Sequence, residues 1–150
     1  PFDERTYRVA IAPDEPINDL ARRLAAYGGG GTNCALPLEY VNTHFSHRAY
    51  AGCVLVSDNE SWVGCGRYGA TGVMDAWRTF VGHQARNHPA EFDGPKLVCL
   101  DLAPGATTQA AEASDVLNVG GFSDAVFGII ADFINGEDAR FVAEIEAIEL

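Results

Sequence analysis

An α/β fold built around a parallel sheet is what this 150-residue sequence predicts. Three observations carry that expectation. The runs AGCVLVSD (51–58) and KLVCLDL (96–102) are nearly continuous in apolar residues, as in parallel strands covered on both faces. Between and after them lie stretches whose apolar residues recur every three or four positions, the period of a helix. Strand and helix patterns alternate along the chain, which is the order a parallel sheet requires.

The elements follow in sequence. TYRVAIA (6–12) reads as a first strand, and Pro13-Asp14-Glu15-Pro16 then supplies the acids and proline of a helix start. Ile17, Leu20, Ala21, Leu24 and Ala25 mark one helical face, with Gly28 as its C-terminal stop. Thr32 or Asn33 caps a short helix over 34–43. A glycine-rich loop from Gly64 to Gly72 leads to a helix marked by Val73, Met74, Trp77, Phe80, Val81 and Gln84, which ends at Asn87-His88-Pro89. DVLNV (115–119) is a short strand. Ser123 then caps a helix whose buried stripe is Val126, Phe127, Ile130, Phe133 and Ile134. The tail RFVAEIEAIEL reads as a helix turning into an edge strand.

Composition narrows the function classes. Hydrophobic residues make up 47% and charged residues 21%, a globular balance for one domain over 1–150. With 21 acidic against 10 basic residues, the net charge is −11 and the cations are scattered. That argues against this segment as the direct nucleic-acid contact, which needs clustered Lys and Arg. The apolar runs fall short of the ~18–20 residues of a membrane span. PFDERTYR lacks the apolar core of a secretory signal. Cys34, Cys53, Cys65 and Cys99 lack CxxC spacing, and two of them sit inside apolar runs. The expectation is a reduced, cytoplasmic protein without membrane contact.

Open α/β sheets bind ligands at the carboxyl ends of their strands. Three polar groups fall there: Gly30-Gly31-Thr32-Asn33, Ser57-Asp58-Asn59-Glu60, and Asp101. Hydroxyl and carboxylate oxygens with waters suit a hard cation such as Mg²⁺. Against that stand a helix-cap role for Thr32, a solvated turn for Asp58 and a plain turn for Asp101. His44 and His47, spaced HxxH, lack a third zinc ligand. Cys34, after the glycine run, is the best thiol nucleophile, though a small residue packed under the loop is the simpler role. The glycine run has no lysine and not the form of a nucleotide loop.

GGGGTNCALPLEYV, followed about twenty residues later by VLVSDNESW, resembles the C-terminal von Willebrand factor A-like domain of the Ro 60 kDa (TROVE) ribonucleoproteins. The resemblance continues through PKLVCLDLAPGATTQAAEASDVLNVGGFSDAVFGIIADFI. It implies a Rossmann-type sheet with a metal-ion-dependent adhesion site. In such sites a DxSxS motif, a Thr and an Asp hold the ion. The last two match Thr32 and Asp58, flanked by Gly31, Asn33, Ser57 and Asn59 as ligand contacts.

This chain has no DxSxS. In the family that motif ends the central strand, and the strand at 6–12 matches the family's second. The domain is thus expected to be partial. Two strand edges would lie open, at roughly 1–3 kcal/mol for each unpaired buried backbone group, against a total stability of about 5–15 kcal/mol. The implied partner is a second polypeptide that supplies the strand and its DxSxS; the less favoured source is AEIEAIEL of this chain. The expected function is non-catalytic: Mg²⁺-dependent capture of an acidic protein ligand within a Ro-like RNA-binding protein of small non-coding RNA quality control. RNA would be gripped by another domain. The alternatives are a small metal- or thiol-dependent hydrolase using Asp58 or Cys34, and a structural domain with a degenerate metal site.

Overall fold

The structure, a computed structural model, describes residues 1–3, 5–28, 32–58, 71–89, 94–105 and 108–136. The elements run α1 (Ile17–Leu24), α2 (Leu36–His44), β1 (Gly52–Ser57), α3 (Thr71–Asn87), β2 (Lys96–Asp101), β3 (Val116–Gly120) and α4 (Ala125–Ile134). The strands form one parallel sheet in the order β1-β2-β3. This is the predicted α/β fold, a parallel sheet flanked by helices. The expected tail element, the loop over 64–70, Gly31 and Asn59 lie outside the described residues.

The pleat sorts the strand residues onto two faces. Leu55, Leu97, Cys99 and Val116 point into a core with Val73, Met74, Trp77 and Phe80 of α3 and Leu38 of α2. Trp77 stacks on Phe80 with ring centroids 5.2 Å apart. Its indole N–H donates to Asp115 Oδ2 at 2.8 Å, so the one polar atom of the ring is satisfied where the chain enters β3. Gln84, 2% exposed, clamps the approach to β1: its Oε1 accepts from Tyr50 N–H at 3.0 Å and its Nε2 donates to Arg48 O at 2.9 Å.

The opposite face carries α4, which packs on β2 with Val126 buried. Gly52 sits under Ile134. A Cβ there would lie 2.6 Å from Lys96 O and 3.3 Å from the Ile134 side chain, so only glycine permits this approach.

Several expectations are corrected. Residues 6–12 form no strand: Thr6 makes an isolated antiparallel bridge with Phe2, and Tyr7 N–H donates to Pro1 O at 2.9 Å. A β-prone run needs a neighbouring strand to take up its backbone groups, and here it curls on itself instead. The 52–57 strand is not covered on both faces. Val54 and Val56 remain 39% and 47% exposed, because β1 ends the sheet among the described residues. α1 stops at Leu24 with Ala25 as its cap, and Gly28, at φ +111°, lies three residues further on. Ser123 offers Val126 N–H its carbonyl rather than a capping hydroxyl, and Asp124 takes the cap position. Phe127 of the expected buried stripe is 61% exposed and meets Phe122 edge-on.

Candidate functional site

At the carboxyl end of β1, Thr32, Ser57 and Asp58 line one cavity of about 270 Å³ together with Pro1, Phe2 and Val56. Thr32 arrives there because it directly precedes the turn into α2, and Asp58 because it directly follows β1. The two segments are 26 positions apart, as the numbers 32 and 58 give directly. The N-terminal loop closes one side. Buried Asp3 accepts from Arg5 N–H and from the Tyr7 hydroxyl, each at 3.0 Å, and its carbonyl accepts from Asn33 N–H at 3.0 Å.

Asn33 does not line that cavity. It is 9% exposed, its Oδ1 accepts from Ala35 N–H at 3.0 Å and its carbonyl from Leu36 N–H. It therefore makes a turn just ahead of α2, and the expected cap by Thr32 or Asn33 is corrected: Ala35 holds the cap position, without a side-chain hydrogen bond to the helix. Asp101 fits the plain-turn role, its Oδ1 accepting from Ala103 N–H at 2.9 Å.

Sequence reasoning passed over Gln109. It is 6% exposed, and its Nε2 donates to Cys34 Sγ at 2.7 Å and to Ser57 Oγ at 3.2 Å. Its Oε1 is buried without a hydrogen-bond partner among the described residues. Asn118 of β3 holds the backbone beside it: Nδ2 donates to Ala110 O at 3.0 Å and Oδ1 accepts from Ala110 N–H at 3.4 Å. The only signal in the sequence was position, since Gln109 lies on the connection after β2, where ligand-binding loops of such sheets emerge.

Chemically, the cavity offers two hydroxyl oxygens and one carboxylate, with the Gln109 amide in contact with Ser57 but not lining it. Such a donor set suits a hard, water-retaining cation rather than zinc. Among the described residues no group of three or more His, Cys, Asp or Glu could hold a metal. His44 and His47 are not joined: His44 Nδ1 lies 3.0 Å from Tyr40 O, and the His47 carbonyl lies 3.1 Å from His88 Nε2.

Cys65 lies outside the described residues; the three described thiols sit in the core or pack against it. Cys34 is fully buried against Gln109. Burial pushes Cys53 up to about 11. Burial, reinforced by the neighbouring Cys34 and Cys53 charges, pushes Cys99 up to about 12. Cys53 and Cys99 are held as thiols at neutral pH, the opposite of what a nucleophile needs.

No family model matches the chain and no curated protein does. Among solved structures it is similar to the crystal structure of the Deinococcus radiodurans RO (RSR) protein, with 23% sequence identity and a TM-score of 0.63. The match covers 85% of this chain and 23% of that one. No described helix is long and apolar enough to cross a membrane. At this identity the likeness is one of fold: the chain shares its α/β architecture with part of a Ro protein and spans less than a quarter of that protein's length.

Proposed function

We propose that this chain is a non-catalytic, Mg²⁺-dependent partner-binding domain of a Ro-like RNA-binding protein of small non-coding RNA quality control. A second polypeptide docks as a strand on the outer edge of β1 and brings the DxSxS that completes a cation site at Thr32 and Asp58. Gly31, Asn33, Ser57 and Asn59 flank it. The ion then bridges to an acidic side chain of a protein ligand. RNA is held by another domain, as the net charge of −11 favours. The reading places the protein in the cytoplasm.

One observation carries this reading: among the described residues β1 ends the sheet with Val54 and Val56 exposed, beside the cavity that Thr32 and Asp58 share. Edge strands with apolar faces are templates for strand addition. Ile11, in the segment that forms no strand, and Ile17, at the start of α1, are exposed apolar residues as well, at 63% and 82%.

Native mass spectrometry of the purified protein in Mg²⁺ and then EDTA tests it. The expected result is the 16.0 kDa chain bound to a second polypeptide bearing DxSxS. EDTA should release the acidic ligand. A lone folded chain indifferent to EDTA overturns the reading.

A further inference from the structure

We infer that Gln109 is a positioning residue of the cation site, tying the Thr32 segment to the Asp58 segment and holding an acceptor ready for the completed site. The inference rests on the cation-site reading above. Thr32 and Asp58 belong to separate stretches of chain, and an ion site works only if its oxygens are held within a few tenths of an ångström of the required geometry.

Gln109 is placed to hold them. One amide nitrogen donates to Cys34, two residues after Thr32, and to Ser57, the residue before Asp58. The amide is itself fixed from below, because Asn118 pairs with both backbone groups of Ala110. Three separate segments thus meet at one side chain that is 6% exposed.

The other end of the amide is the informative one. Gln109 Oε1 is buried and has no hydrogen-bond partner among the described residues. A buried polar atom left unsatisfied is destabilising, and native structures hold few of them. A glutamine kept only to fill space would be better replaced by methionine, which has the same length and no orphaned oxygen. Rotating the amide by half a turn does not remove the orphan; it leaves the NH₂ unsatisfied instead. An acceptor without a donor, on an amide that holds the Ser57 hydroxyl at the cavity wall, is what a site completed from outside would leave behind. The donor it awaits is a hydroxyl of the docking strand or a water held by the ion.

The test uses the full chain in complex with the DxSxS-bearing polypeptide that purifies with it, with Mn²⁺ as a paramagnetic stand-in for Mg²⁺, titrated by electron paramagnetic resonance. The chain as it stands, Gln109→Met, Gln109→Glu, Thr32→Ala and Asp58→Ala are compared, with the melting temperature measured in EDTA. Gln109→Met is expected to melt no lower than the parent while its Mn²⁺ affinity falls at least tenfold. Gln109→Glu places a carboxylate there. It is expected to melt lower in EDTA and to regain that loss with Mn²⁺, which a purely structural glutamine would not do.

Parental Mn²⁺ binding in both Gln109 variants, with loss in Thr32→Ala and Asp58→Ala, overturns the role of Gln109 and leaves the cation site standing. Absence of Mn²⁺ binding by the parent complex at millimolar concentration overturns both. If Gln109→Met does not fold, the Mn²⁺-dependent recovery of Gln109→Glu decides, its absence counting against the inference.

Discussion

Val54 and Val98 are the same residue type, directly opposite each other on neighbouring strands and on the same face of the sheet, yet one is 39% exposed and the other fully buried. Val56 and Leu100, the next pair on that face, differ in the same way, 47% against 2%. Both strands are apolar runs of equal length. The difference lies in their neighbours: β2 has a strand on each side and α4 above it, whereas β1 has a described strand on one side only. Hydrophobicity states how much a residue gains from burial, but a second surface must arrive to bury it. The β1 side of this molecule holds apolar surface that the described residues do not cover. The α3 face holds a finished core.

The sharpest way to break that contrast is at the finished side. Trp77→Ala removes a ring that is 1% exposed, its stack on Phe80 and its bond to Asp115. It should cost about 3–5 kcal/mol, a large share of a total of about 5–15 kcal/mol, and chemical denaturation would show it. A loss below about 1 kcal/mol, the ordinary effect of a point substitution, would mean the core is not where the protein's stability resides.

Alkali probes the same core. Burial raises the Cys53 and Cys99 thiols from the ordinary value of 9.0 to about 11 and about 12 in the fold. Below pH 9 both folded and unfolded chains keep these protons, so their contribution is intact. Between pH 9 and about 12 the unfolded chain releases them first, and stability falls as the pH rises. Each tenfold difference in proton affinity between the two states is worth on the order of 1.4 kcal/mol. Melting temperatures followed from neutral pH into alkali should therefore decline more steeply in the parent than in Cys53→Val/Cys99→Val.

The pair at positions 54 and 98 gives the direct measurement. Val98→Ala should cost about 2 kcal/mol, and Val54→Ala within about 0.5 kcal/mol. Equal costs would show that something covers β1 in solution. Addition of a partner that supplies the docking strand should raise the cost at Val54 toward that at Val98.

The smallest effect is expected at α1. None of its residues is buried, and Ile17 is 82% exposed. Ile17→Ser should leave thermal stability within about 0.5 kcal/mol. The same change should weaken partner capture if the docked strand brings a surface that α1 covers.

Much of the layout was legible in the residues. The runs at 52–57 and 96–101, the helical period over 71–87 and the breaks at Pro89 and Gly121 report local preferences that need no distant partner. Burial of Leu55, Leu97 and Trp77 followed from the same patterns. That Thr32, Ser57 and Asp58 stand at the carboxyl end of a strand or the start of a helix could likewise be read from the order of elements. Other features depended on tertiary contact. TYRVAIA has the composition of a strand, but pairing is a property of two segments, and it forms none. Phe127 sits on a helix as apolar as any in the chain, yet an edge-on contact with Phe122 leaves most of its surface open. Gln109 has no periodicity and no motif. Its place between Cys34 and Ser57 exists only because Asn118, further along the chain, pins Ala110 to β3. Local sequence determined which segments become helix or strand and which side chains favour burial, since those preferences act within a turn or a pleat. Tertiary structure decided which surfaces were met and which polar atoms found partners, because those outcomes depend on residues far apart in the chain.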